Sequence, residues 1–133
     1  MRGFVFTNAA ICEGEDVFYA RLSPNITSKK ELFDALYYSC WFPWYFGFNW
    51  DALDEVITNF SWIKEKNIII RHESISKIPK EVLVMYIRSI TDSFEMFSED
   101  DKNMCYVFNE EDENLIDGIL SSIGRDRLGR EIK

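Results

Sequence analysis

Two short β-rich runs, separated by one long amphipathic segment, constrain the fold more than any other feature of the sequence. The runs are NIIIR at residues 67–71 and MCYVF at residues 104–108. The first is a continuous β-branched run, which is typical of a strand buried on both faces in the middle of a sheet. Between them, Pro79 stands near the start of a segment with apolar residues at helical spacing: Leu83, Tyr86, Ile87, Ile90, Phe94 and Phe97. Strand, long helix and strand in this order predict parallel strands joined by a right-handed crossover.

Shorter signals surround this unit. FVFT (Phe4–Thr7) and VFYARL (Val17–Leu22) are β-rich and could pair as a hairpin. S-K-K-E at residues 28–31 has capping-box spacing and predicts a helix from about Ser28 to about Cys40. ENLIDGILSSIG predicts a last helix, and we expect the tail RDRLGREIK to be mobile. These elements predict an α/β fold, with helices on at least one face of a small sheet, in one domain spanning residues 1–133.

The run FPWYFGFNWDALDEV, which starts at Phe42, combines two conflicting tendencies. Its aromatic rings favour a core, whereas Pro43 and Gly47 mark a loop that is difficult to bury. We expect about half of the rings between Trp41 and Trp50 to turn inward. Asn49 is a good N-cap, so the loop should lead directly into a second, short helix.

Two faces separate on this short helix at about 100° per residue. The apolar face holds Leu53, Val56, Ile57 and Phe60, and the opposite face holds Asp51, Asp54, Glu55 and Thr58. A solvated surface is the ordinary explanation for such an acidic face. However, Asp51 is followed four residues later by Glu55 rather than by Lys or Arg, which is unfavourable for the helix itself. Exposed rings beside unpaired acids are instead typical of a protein-binding surface.

The overall charge limits the classes of partner. The formal net charge of -8 and the pI near 4.7 argue against nucleic-acid binding, because that function needs a surplus of Lys and Arg. We therefore expect a basic protein as partner. No apolar run approaches the roughly 20 residues needed to cross a bilayer, so we expect no membrane association and a cytoplasmic location.

An enzyme has little support in the sequence. Cys12, Cys40 and Cys105 show no CxxC spacing, which indicates neither disulfides nor a zinc site, and we expect Cys40 and Cys105 to be reduced and buried. His72 ends a predicted strand, and we expect it at the surface rather than as a general base. No Ser or Cys motif indicates an activated nucleophile. We predict no catalytic residues, no cofactor and no metal site.

The spacing of Pro43, Tyr45, Gly47, Asn49 and Asp51-Ala52-Leu53 resembles the barstar family, inhibitors of the secreted ribonuclease barnase, with the pattern P-x-Y-Y-G-x-N-x-D-A-L. The resemblance extends more loosely over about residues 17–109. It implies a three-stranded parallel sheet packed with helices in two or three layers. Relative to the family, this chain has an extra N-terminal strand and an extra C-terminal helix.

The resemblance also implies a function: an intracellular inhibitor that blocks the basic active site of a ribonuclease or ribonuclease-like toxin, with carboxylates that imitate RNA phosphates. The predicted partner-binding residues are Trp44, Tyr45, Gly47, Asn49, Asp51, Asp54 and Glu55. Asp54 replaces a family tryptophan and Glu55 a family aspartate, which argues against barnase itself as the partner. Asp92 or Glu95 could supply a further acid. The alternative is an interaction or immunity protein of the same fold with a non-nuclease partner.

Overall fold

The computed structural model describes residues 2–9, 14–96 and 102–132. The strands in these ranges are β1 (Arg2–Phe6), β2 (Val17–Leu22), β3 (Asn67–His72) and β4 (Asn103–Phe108). The helices are α1 (Lys29–Ser39), α2 (Trp50–Val56), α3 (Lys80–Met96) and α4 (Glu113–Ser122), with a short 3₁₀ turn at Glu110–Asp112. Cys12, and Phe97 of the predicted long helix, lie outside the described ranges.

The described strands form one parallel sheet in the order β1-β4-β3-β2. The strands β2, β3 and β4 are the predicted three-stranded sheet, and β1 is the additional N-terminal strand, so the predicted fold class is confirmed. The hairpin between the first two stretches is wrong, because β1 and β2 lie at opposite edges. Pairing with β4 instead buries Phe4, whose ring centroid lies 5.8 Å from that of Phe94 and 6.2 Å from that of Tyr106.

One face of the sheet carries the core. Ala20, Ile70, Tyr106 and Phe4 are register neighbours across the four strands, and all are buried. They belong to the same hydrophobic cluster as the buried residues of the described helices. The architecture is therefore two layers, helices on a sheet. Cys105 points to the other face and is only half-buried, contrary to prediction, whereas Cys40 is buried as predicted.

Local capping sets the start of α1. The Ser28 hydroxyl accepts a hydrogen bond from the Glu31 backbone N–H at 3.1 Å, and the Glu31 carboxylate accepts from the Thr27 N–H at 3.0 Å. The Glu31 N–H, which the helix leaves unpaired, and the Thr27 N–H just before the helix are thereby satisfied. The helix predicted from about Ser28 to about Cys40 is confirmed, because these two residues are the N-cap and C-cap of α1.

The last described residues, 124–132, form a turn that we call the C-terminal hook. Its backbone bonds to itself, with the Ile132 N–H donating to the Gly124 carbonyl at 2.9 Å. It also covers the edge of β1, where the Phe4 N–H donates to the Arg127 carbonyl at 3.0 Å. The expectation of a mobile tail is therefore wrong for these residues. An unpaired strand edge is an aggregation hazard, and the hook removes part of it.

Among the described residues, no helix has both the length and the apolar character that a membrane crossing requires.

Candidate functional site

The aromatic loop, residues 41–50, is held by two rings that turn inward. Phe42 and Phe46 are buried, and their ring centroids lie 4.9 Å apart in an edge-to-face contact. The Phe46 N–H donates to the Pro43 carbonyl at 2.9 Å, which closes a tight turn between them. Trp44 and Tyr45 occupy this turn and are 86% and 62% exposed. Two core anchors thus fix two neighbouring rings at the surface.

Gly47 serves close packing rather than an unusual torsion. A Cβ atom there would lie 3.2 Å from Asn49 Nδ2, and the Gly47 carbonyl accepts a hydrogen bond from the same nitrogen at 3.1 Å. The left-handed torsion falls instead on Phe48, with φ of 52°. Packing against Tyr37, at 5.1 Å between ring centroids, supports this strained residue.

Helix α2 begins where the sequence predicts. The Asn49 side-chain oxygen accepts a hydrogen bond from the Ala52 N–H at 2.8 Å. Leu53 and Val56 are buried from within the helix, and Ile57 and Phe60 are buried just beyond its end. The predicted apolar face is therefore confirmed, and it clamps the helix to the core.

All seven predicted partner-binding residues are exposed: Trp44, Tyr45, Gly47, Asn49, Asp51, Asp54 and Glu55. Within the described part of the chain, no Lys or Arg forms an ion pair with Asp51, Asp54 or Glu55. These carboxylates thus lie on a short helix without a counter-ion from the described residues. A surface of this kind can receive cationic groups from another molecule.

A groove of about 330 Å³ separates α2 from α3. It is lined by Asp54, Glu55, Thr58, Ser89, Asp92, Ser93 and Met96. Burial raises the pKa of Asp92, and the nearby Asp54 and Glu95 carboxylates raise it further, while Arg125 opposes them. We call this cleft the α2–α3 groove; it gathers negative charge from two helices.

The groove includes residues that sequence reasoning missed. Ser89 and Ser93 are small polar residues four positions apart among the buried residues of α3, and that spacing was the available signal. The two candidate acids of α3 also differ, because Asp92 lines the groove and Glu95 does not.

Arg125 of the C-terminal hook reaches these α3 acids. Its guanidinium pairs with Glu95 through Nη1 and lies 3.4 Å from Asp92 Oδ1 through Nη2. Nη1 also donates to the Gly129 carbonyl at 3.0 Å, and the side chain is 15% exposed. The hook therefore places a fixed cation beside the groove.

His72 is buried and is part of the core, so the prediction of a surface histidine is wrong. Its Nδ1–H donates to the Val107 carbonyl at 2.9 Å, and its Nε2 accepts from the Tyr86 hydroxyl at 2.7 Å. The ring stacks on Phe108 with 4.0 Å between centroids. Burial lowers the pKa of His72 to about 4. The imidazole is therefore a neutral, hydrogen-bonded part of the core.

In the ranges that the structure covers, no group of three or more His, Cys, Asp or Glu side chains is arranged to hold a metal ion.

A sequence model of the family described as Barstar (barnase inhibitor) matches residues 16–109. The match covers the aromatic loop, α2, the groove and all of the sheet except β1. It ends before α4 and the hook. No curated protein matches the chain.

Proposed function

Since the chain belongs to the barstar family, we propose that it is an intracellular inhibitor that binds and blocks the basic active site of a ribonuclease or ribonuclease-like toxin. The observation that carries this proposal is the acidic face of α2, which has no ion-pair partner among the described residues, beside the exposed rings of Trp44 and Tyr45. The proposed contacts are made by Trp44, Tyr45, Gly47, Asn49, Asp51, Asp54 and Glu55.

Carboxylates on a rigid helix suit this task. A ribonuclease holds RNA phosphates with Arg, Lys and His side chains, and carboxylates at similar positions bind the same cations. Asp51 and Glu55 lie one helical turn apart, so both reach the same side of α2. Their mutual repulsion is relieved when a cation binds between them.

The rings supply a different part of the interaction. Trp44 and Tyr45 have ring centroids 5.9 Å apart at an angle of 86°. Aromatic anchors that become desolvated on binding are typical interface hot spots. The net charge of -8 adds long-range attraction toward a basic partner, which raises the association rate.

A second candidate is an interaction or immunity protein with a non-nuclease partner. It is favoured by Tyr38 and Trp41, which are exposed and extend the aromatic surface beyond the turn at Trp44. A large apolar contact, rather than an active site filled with carboxylates, would then dominate binding.

The test is inhibition of RNA cleavage. Barnase-type ribonucleases, including any whose gene neighbours the gene of this protein, are incubated with a fluorogenic RNA substrate. The cleavage rate is measured as increasing amounts of the protein are added. We expect near-stoichiometric inhibition of at least one enzyme. The Asp51→Lys variant should lose it.

Glu111→Lys is the matched control, because Glu111 is exposed, lies outside the family match and undergoes the same change of charge. It should inhibit like the wild type. Capture of a partner that cleaves no RNA, together with no inhibition of any tested enzyme, would favour the second candidate.

A further inference from the structure

We propose that Arg125 is a specificity-determining residue of the binding surface: an internal cation that competes with the basic groups of a partner for the α3 side of the α2–α3 groove. This inference rests on the proposed function, since it assumes that a cationic protein docks on α2. Arg125 lies outside the residues that match the family.

The groove is built to receive a cation larger than a metal ion. Three of its carboxylates, on Asp54, Glu55 and Asp92, face one cleft, yet no described cluster is close enough to coordinate a metal. Ser89 also lines the groove and is 4% exposed, and its hydroxyl forms no hydrogen bond with the described residues. This hydroxyl opens to the groove and is free to donate and accept hydrogen bonds there, so it suits a polar occupant. A guanidinium or ammonium group of a partner satisfies the carboxylates and can hydrogen-bond to this hydroxyl.

Arg125 occupies the rim of this site without filling it. Its guanidinium is held mainly by the Glu95 carboxylate and the Gly129 carbonyl, and its contact with Asp92 is long, at 3.4 Å. Asp92 is thus shared between the groove and the hook. A partner cation that binds Asp92 must compete with Arg125 and also meets its repulsion.

The hook keeps Arg125 in place by contacts that do not involve its side chain. Gly129 has φ of 78° and packs so closely that an added Cβ would lie 2.7 Å from Phe94. The Phe4 N–H to Arg127 carbonyl bond ties the hook to β1. Removal of the guanidinium should therefore leave the backbone of the hook folded.

The first experiment uses a hexa-arginine peptide as the cationic probe at low salt, followed by NMR chemical shifts of α2 and α3 amides. Arg125→Met should lower the Kd of the peptide about two- to fivefold, the range expected for releasing carboxylates that are themselves half exposed. Arg130→Met is the matched control, because it lies in the same hook, removes the same charge and pairs only with Asp126 among the described residues. It should bind nearly as the wild type does.

Arg125→Lys is a second control, which tests whether the charge or an indirect structural effect changes the Kd. It keeps the charge, so the Kd should stay near that of the wild type. The proposal would be overturned if Arg125→Met and Arg130→Met increased the affinity for the peptide equally. It would also be overturned if Arg125→Lys increased that affinity as much as Arg125→Met does. Weaker binding by Arg125→Met would overturn it as well, and would make Arg125 a support for Asp92 rather than its competitor.

The same variants are then compared on an inhibited barnase-type ribonuclease. There, Arg125→Met should slow dissociation relative to Arg130→Met. The peptide experiment needs no ribonuclease, so a failure to inhibit any enzyme would refute the proposed function while leaving the role of Arg125 to be decided by the peptide.

Discussion

The buried imidazole of His72 should make the stability of the protein fall between neutral pH and pH 5. Both ring nitrogens are engaged while the ring is neutral, one donating to Val107 and the other accepting from Tyr86. Protonation would place a second donor opposite the Tyr86 hydroxyl, whose own proton already points toward the ring. It would also place a charge on a residue that is only 2% exposed to solvent.

The sign and size of the effect follow from linkage. The pKa of His72 falls from 6.5 in the unfolded chain to about 4 in the fold. The stabilisation is complete above pH 6.5 and is lost as the pH falls toward 4, because the unfolded state then binds the proton first. At about 1.4 kcal/mol per pH unit, lowering the pH to 5 removes about 2 kcal/mol of unfolding free energy.

Urea unfolding, followed by tryptophan fluorescence at pH 7.5 and pH 5, measures this loss. His72→Gln is the control, because its amide keeps a donor and an acceptor but does not titrate. The raised pKa values of Asp92 and Asp112 contribute equally in both proteins and cancel in the difference. If His72→Gln loses as much stability as the wild type between the two pH values, the buried imidazole is not the cause of the pH dependence.

Leu53→Ala should cost about 2–5 kcal/mol of unfolding free energy because Leu53 is fully buried, whereas Asp51→Ala should leave the melting temperature nearly unchanged. If calorimetry shows equal losses of stability in the two variants, the assignment of the two faces of α2 is wrong. Tyr45→Ala should weaken partner capture in a pull-down, with the circular dichroism spectrum unchanged. Raising ionic strength from about 0.05 to about 0.5 M should slow association with a basic partner in surface plasmon resonance, while Asp51→Lys should abolish binding at every salt concentration; persistent binding by that variant would exclude α2 from the interface. Gly129→Ala should lower the melting temperature, because the new Cβ would clash with Phe94; an unchanged melting temperature would show that the hook adapts.

Features encoded by neighbouring residues were predictable from the sequence. Asn49 is three residues from the N–H that it caps, and Leu53 and Asp51 separate to opposite faces by helical spacing alone. The resemblance of this segment to one family was readable for the same reason, since the loop and the helix are continuous in the chain.

Properties that depend on which face of the sheet is covered were not predictable. The run NIIIRH is apolar or bulky at nearly every position, so it carries no alternation to show that His72 points into the core and Ile69 does not. β1 likewise has the residues of a strand, but the choice between β2 and β4 as its neighbour depends on the burial of Phe4 against distant rings.

The elements, the cap and apolar face of α2, and the exposed acids that α2 carries can all be read from the amino-acid order, because they depend on contacts within about one helical turn. Packing of the whole chain, by contrast, sets the place of β1, the burial of His72 and the α2–α3 groove. It also sets the position of Arg125 beside Asp92, from which it is separated by 33 residues along the chain. The physical reason is that pairings between distant residues are selected by how much apolar surface the whole chain buries, and no local pattern records that sum.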